Sequence, residues 1–218
     1  MPHFLAIQNT YTDLQIALFK QTTCLTVIKT DKTTASKEII LLLQSLLSDH
    51  QLSFKHIKFI AANQGPGAFT TLRVVIATVN GLSFASQVPL IGINALHALL
   101  AEHSIQRPAI ALLNAFSKDL YYAVKTQSNP ELTQGCSKIE HIFKEYPFDG
   151  ESVLFMGNGA QIHKETIVKL YGGRAQFLTP MPQTCSIQQI GLLGWQQWQQ
   201  QASLSFQLQP IYLKQASF

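Results

Sequence analysis

Between Val74 and Ala101 the chain carries no Asp, Glu, Lys or Arg, and this run constrains the fold more than any other feature. A helix that spans a membrane needs about 20 unbroken apolar residues. Here Asn80, Ser83, Gln87, Pro89 and Asn94 interrupt the run, and Val88-Pro89 with Gly92 divides it into helix, strand and helix. With no side for water, such a segment belongs in a packed interior and no membrane contact is expected. The pattern predicts a helix over 70–86, a strand over 89–93, and a second helix capped by Asn94 and running to 103. A short apolar strand over 57–62 precedes them. Strand–helix–strand order demands parallel pairing with the helix on a sheet face.

The segments on either side extend this pattern. Strands over 3–8, 14–19 and 24–29 are separated by short turns rich in Thr, Asn and Asp, which argues for antiparallel neighbours. A helix over 36–48 follows, with Ser36 as its cap and Glu38 in its first turn. After Arg107-Pro108 the order begins again. Segments 109–114 and 120–126 form a hairpin on Ser117-Lys118-Asp119. A polar loop holding Asn129-Pro130 leads to a helix over 138–144, a strand over 152–156, a helix over 160–171 and a strand over 175–178. A Gln-rich helix over 187–201, capped by Ser186, has an apolar side of Leu192, Leu193, Trp195 and Trp198. Strands, then alternating helix and strand, are thus stated twice, in halves spanning 1–105 and 106–218. This α/β order resembles the duplicated ribonuclease-H-like architecture of the actin, Hsp70 and sugar-kinase superfamily, with mixed sheets flanked by helices.

Composition removes several classes of function. With 46% hydrophobic and 13% charged residues the chain is not disordered. Its 16 Lys and Arg against 12 Asp and Glu are scattered, with no run dense enough for a nucleic-acid footprint. Cys24, Cys136 and Cys185 lie far apart with no CxxC pair, which fits neither a disulfide framework nor a zinc site and suits a reducing compartment. The apolar opening Phe4–Ile7 is too short for a signal peptide. The cytoplasm is the expected location.

No residue pattern points to chemistry. The seven histidines form no HxxxH or HExxH pair, and His97 and His103, six apart, fall on different helical faces. Ser36 and Ser186 read as caps, not nucleophiles. No metal, cofactor or catalytic residue is therefore expected. Gly65-Pro66-Gly67 before a helix could cradle a phosphate, yet it lacks the Lys and the spacing of a P-loop; a strand-to-helix turn is the better reading. Arg73 stands at a helix start, where the dipole disfavours a cation, so it is either solvated or gripping an anionic partner group.

The long helix is more informative. At about 100° per residue, Leu72, Val75, Ile76, Val79 and Leu82 share one bulky face. Thr70, Val74, Ala77, Gly81 and Ala85 share the opposite one, where small side chains allow close approach. Leu41 on the preceding helix stands beside Lys37, Gln44 and Ser48. Either another helix of the chain or a second protein covers this small-residue face.

Three segments carry a family resemblance. FLAIQNTYTDLQIAL (4–18) looks like the opening strand-turn-strand of the TsaB (YeaZ) family. NQGPGAFTTLRVVIATVNGLSFASQVPLIGINAL (63–96) is similar to that family's diagnostic Gly-Pro-Gly-Ser-Phe-Thr-Gly-Leu-Arg loop entering a helix. NAFSKDLYYAV (114–124), FMGNGA (155–160) and QPIYLK (209–214) follow in the family's order. The motif loop is then Gly65, Pro66, Gly67, Phe69 and Thr70.

The resemblance implies a non-catalytic subunit, without a cofactor, that binds and activates the catalytic subunit TsaD. With the ATPase TsaE, these proteins transfer threonylcarbamoyl to adenosine 37 of tRNAs reading ANN codons. The partner surface would be the helices of the first half, here Leu41, Thr70, Arg73, Val74, Ala77, Gly81 and Ala85. The same surface would make a homodimer of the isolated chain, and tRNA would be met only through the complex. The sequence departs from the family at Gln8, where an Asp is usual, and at Thr71, where a Gly is usual. In superfamily members that transfer phosphate, the Asp helps hold magnesium, and a neutral amide is a poor ligand for that hard cation. A small-molecule kinase or ATPase, and a peptidase-like protein, are the alternative readings.

Overall fold

The computed structural model describes residues 1–31, 35–103, 107–126, 132–148, 150–202 and 204–214. The expected loop at Asn129-Pro130 lies outside them, as does the Ser36 side chain. The chain divides into two units: residues 1–94 with 186–211, and residues 95–185 with 212–218.

The first unit opens with β1 (His3–Asn9), β2 (Asp13–Lys20) and β3 (Thr23–Asp31), paired antiparallel in sequence order. The turn between β1 and β2 is closed by Thr10, whose Oγ1 accepts from the Thr12 and Asp13 N–H groups at 3.2 and 2.9 Å. Helix α1 (Ala35–Asp49), β4 (Ile57–Gly65), α2 (Phe69–Ser86) and β5 (Leu90–Asn94) follow, with β4 parallel to β1 and β5 parallel to β4.

The second unit begins with α3 (Ala95–Ala101), two residues shorter than expected, and then repeats the scheme. Strands β6 (Ala109–Asn114), β7 (Asp119–Lys125) and β8 (Thr133–Lys138) are antiparallel. Helix α4 (Ile139–Glu145), β9 (Val153–Met156), α5 (Asn158–Ile162), α6 (Lys164–Tyr171) and β10 (Ala175–Phe177) complete it, with β9 parallel to β6 and β10 parallel to β9. Helix α7 (Ile187–Gln199) and β11 (Leu204–Ser205) return to the first unit.

Among the described residues the sheets have six strands in the order β11-β5-β4-β1-β2-β3 and five in the order β10-β9-β6-β7-β8. Without the short β11, the two orders are the same topology. Each sheet buries a separate core. In the first, Leu5, Ile7, Leu14 and Ile16 pack with Leu43 and Leu46 of α1 and Val75 and Val79 of α2. Phe4, on the opposite side of the pleat from Leu5, stacks with Phe19, Phe59 and Trp195 at centroid distances of 4.9, 4.3 and 6.0 Å. In the second, Leu112, Tyr122, Phe143, Phe155 and Tyr171 share one core, with Phe143, Phe155 and Tyr171 edge to face.

Three expectations are corrected. Residues 106–218 do not all belong to the second unit, because α7 packs on the first sheet through Trp195 and Trp198, the latter 5.5 Å from Phe59. A side chain on Gly191 would meet the Phe19 ring, and one on Gly194 would lie 2.5 Å from the Ala61 Cβ, so this docking requires glycine at both positions. Segment 133–138 is the edge strand β8, not loop; its residues TQGCSK carry no bulky apolar alternation because both of its faces are half-exposed. The helix over 160–171 is two helices, broken at His163, whose backbone leaves the helical region (φ −102°, ψ 18°). The two-residue β11 had no sequence signal.

Helix α2 has the length and apolarity of a membrane span. It is nevertheless one-sided: Leu72, Val75, Ile76, Val79 and Ser83 are buried on the sheet.

Candidate functional site

Among the described residues, the small-residue face of α2 is left uncovered. Thr70, Arg73, Ala77, Gly81 and Ala85 are exposed and Val74 is half-buried. A side chain built on Gly81 would meet no atom within 4 Å. Phe84, 82% exposed, stands on this face, about 20° from Ala77 at the helical repeat. Leu41 is 65% and Ile40 42% exposed on α1, while Lys37 and Gln44 beside them are exposed. Both helices lie on one side of the sheet, since both feed the same core. A fully exposed Phe on a helix that already has a buried face is an unusual apolar liability. Phe84 and Ile40 were missed by sequence reasoning that followed small residues only, although the angular position of Phe84 was readable.

Leu82, expected on the bulky core face, is only half-buried against that core; Ser83 takes the buried position instead. Arg73 lies over the Phe69 ring, 3.8 Å from its centroid. This cation–π contact joins two exposed residues one turn apart, so the guanidinium has an interaction within the chain as well as access to solvent.

The Gly-Pro-Gly loop is a strand-to-helix turn, built by buried amides. Asn63 Oδ1 accepts from the Gly65 N–H at 2.8 Å, and its Nδ2 donates to Gln8 Oε1 at 3.3 Å. Gln8 Nε2 donates in turn to Gln15 Oε1 at 3.0 Å. Gly65 has φ +100°, and a Cβ there would lie 2.8 Å from Leu72 Cδ2, so both conformation and packing call for glycine. The Gly65–Pro66 peptide is cis. Asn9 Nδ2 donates to the Thr71 carbonyl at 2.7 Å. Gln8 is fully buried, with both amide atoms engaged. It therefore serves as a rung between strands, and its position does not fit a magnesium ligand. The 4–18 and 63–96 motifs are thus joined to each other.

The second unit joins its own motifs in the same way. Asn158 Oδ1 accepts from the Asn114 N–H at 2.9 Å, tying FMGNGA to NAFSKDLYYAV. Lys214 of QPIYLK pairs with Asp119 at 2.8 Å, and this hydrogen bond holds the ammonium pKa above its ordinary value. An open depression of about 460 Å3 beside the pair is lined by Cys136, Ser137, Lys138, His141 and Leu213. Burial, then the Asp119 charge, pushes the Cys136 thiol up. Burial pushes Cys185 up to about 12 and lowers His97. Among the described residues, no three His, Cys, Asp or Glu side chains gather as a metal site. Ser186 caps α7 as expected, its Oγ accepting from the Gln189 N–H at 3.1 Å.

The family model of TsaD, tRNA N6-adenosine threonylcarbamoyltransferase, matches residues 31–209. The tRNA threonylcarbamoyladenosine biosynthesis protein TsaB of Buchnera aphidicola subsp. Acyrthosiphon pisum is 24% identical over 135 residues, 60% of this chain and 61% of that protein. TsaB of Buchnera aphidicola subsp. Schizaphis graminum is 24% identical over 144 residues, 64% of this chain and 68% of that protein. Among solved structures, a Pseudomonas aeruginosa protein described as similar to peptidase YEAZ superposes with a TM-score of 0.78 at 20% identity, covering 98% of this chain and 100% of that one. The duplicated α/β fold expected from the sequence is the fold found. With the family model matching residues 31–209 and TsaB proteins among the relatives, the chain belongs to the TsaB/YeaZ family, within the wider TsaD family.

Proposed function

We propose that the chain is the non-catalytic subunit of a tRNA threonylcarbamoyladenosine-forming complex, acting in the cytoplasm. In this reading it binds a TsaD-like catalytic subunit through α1 and α2 and holds that subunit in its active conformation. A TsaE-like ATPase supports turnover, and tRNA is met only through the complex. The observation that carries the reading is the uncovered face of α2, where Phe84, Ala77, Gly81 and Ala85 offer an apolar surface that the fold itself does not use. Close approach of a partner helix needs small residues of this kind. When the partner is absent, the same face pairs two copies of the chain. The aligned TsaB relative extends beyond the matched region, so these assignments rest on family membership together with that face.

The test is reconstitution with TsaD-like and TsaE-like subunits, reading modified tRNA and pull-down together. Gly81→Arg should abolish association and modification while circular dichroism stays unchanged. No atom lies within 4 Å of the new Cβ, and Arg favours the helix over Gly by about 0.8 kcal/mol. At a close-packed interface the unpaired guanidinium costs several kcal/mol. Threonylcarbamoyl transfer by this chain alone would overturn the non-catalytic assignment. The kinase alternative meets a fully engaged amide at Gln8.

A further inference from the structure

The segment Leu208–Ile211 runs as an extended strap against α2 and the end of β4, and its attachment is built from side chains. The Asn80 carboxamide grips one residue from both sides: Nδ2 donates to the Leu208 carbonyl at 3.0 Å and Oδ1 accepts from the Leu208 N–H at 2.8 Å. Gln64 Nε2 donates to the Gln209 carbonyl at 2.6 Å, and the Ile211 N–H donates to the Gln64 carbonyl at 2.8 Å. The Leu208 side chain enters the same core as Val75 and Val79. Gly92 on β5 clears the space: a Cβ there would run into the Gln64 carboxamide and approach Leu208 Cδ2 at 3.2 Å. The strap is therefore latched at two places, one on α2 and one at the root of the motif loop.

Asn80 stands one turn before Phe84 on α2, about 40° round the helix. The side chain that holds the strap thus borders the face proposed for the partner without belonging to it. A helix packed on a sheet by one apolar stripe can roll and slide on that stripe; hydrogen bonds at its flank remove this freedom. We propose that Asn80 and Gln64 are positioning residues, through which the Leu208–Ile211 strap sets the roll of α2 and so makes its outer face competent to bind the catalytic partner. This rests on the docking reading above. Coupling between strap and face is reciprocal, so partner binding must also tighten the strap.

Two measurements on the full chain with its TsaD-like partner test the proposal. The first compares partner affinity for Asn80→Ala, Phe84→Asp and Ile60→Val, the last being a core variant that touches none of the strap's hydrogen bonds and lowers stability. Asn80→Ala should weaken binding about tenfold, the scale of a net hydrogen-bond pair. Ile60→Val should leave affinity unchanged while lowering the melting temperature. The second follows amide exchange in the unmodified chain, where the Leu208 and Ile211 amides should slow on complex formation. If Phe84→Asp abolishes binding and Asn80→Ala does not weaken it, the strap has no positioning role and the docking face stands. If the strap amides exchange equally with and without partner, the coupling is overturned, even where Asn80→Ala fails to fold. If Phe84→Asp binds as the wild type does, the docking reading itself fails and takes this inference with it.

Discussion

Two regions of the molecule were built to the same plan and finished differently. The order β3-β2-β1-β4-β5 in the first unit is repeated as β8-β7-β6-β9-β10 in the second. In both, the helix after the fourth strand buries one face on its sheet: Val75 and Val79 in α2, Ile167 and Tyr171 in α6. The outward faces diverge. Helix α2 is unbroken and has no charge after Arg73, whereas the α5–α6 pair is interrupted at His163 and exposes Lys164, Glu165 and Lys169. In the second unit this fold position faces water with those charges beside the exposed Ile162, Val168 and Leu170. Helix α2 carries no charge on its outer face beyond Arg73, and that difference supports the docking proposed for it.

The largest expected effect tests the shared part of the plan. Val79→Arg and Ile167→Arg each place a charge at a fully buried site. An unpaired buried charge costs several kcal/mol against a total stability of about 5–15 kcal/mol. Both variants should lose cooperative unfolding in circular dichroism. A folded Val79→Arg would mean that α2 is not held by its inner face.

Next in size is the contrast between the outer faces. Phe84→Asp should cost about 2 kcal/mol or more of partner binding, as a central aromatic anchor does. Val168→Asp, at an exposed apolar position on α6, should cost none. Neither should change the unfolding free energy by more than the roughly 0.5 kcal/mol usual for surface changes. Equal losses of binding from the two would erase the distinction drawn between the units.

The smallest effect concerns alkaline pH. Upward shifts fall on Cys136, Cys185, Tyr121, Tyr122 and Tyr146 in the second unit, each led by burial, and on Cys24 in the first. For Cys185 the thiol rises from 9.0 to about 12. The folded state thus holds this proton more tightly than the unfolded chain. Its stabilising contribution is complete below about pH 9 and is lost as pH rises toward 12. Denaturant midpoints should fall over this window, and the fall should be shallower in Cys185→Ala. An identical slope in that variant would remove Cys185 from the account.

Much of this was legible in the chain. Apolar strands between turn signals, the Pro and Gly punctuation of 74–101 and the 100° spacing of α2 gave most elements and separated the bulky face of that helix from its small-residue face. These signals are local, and each residue's own neighbours decide them. What was misread was long-range or weak. Segment 133–138 pairs with β7 although its side chains carry no alternation, because an edge strand is held by backbone hydrogen bonds that any sequence can make. The break at His163 follows a backbone conformation, not a breaker residue.

The sequence by itself determined the duplicated order of strands and helices, the bulky face by which α2 meets the sheet and the strand-to-helix turn at Gly65-Pro66-Gly67. Periodicity and turn chemistry act within a few residues. Only the tertiary structure decided that α7 leaves the second half to stack Trp195 and Trp198 on the first sheet, that Gln8, Gln15 and Asn63 form one buried amide ladder, and that Asn80 clasps Leu208 across the chain. Each of these joins residues far apart in sequence. Such a contact forms where folding brings complementary surfaces together, and no local pattern records it.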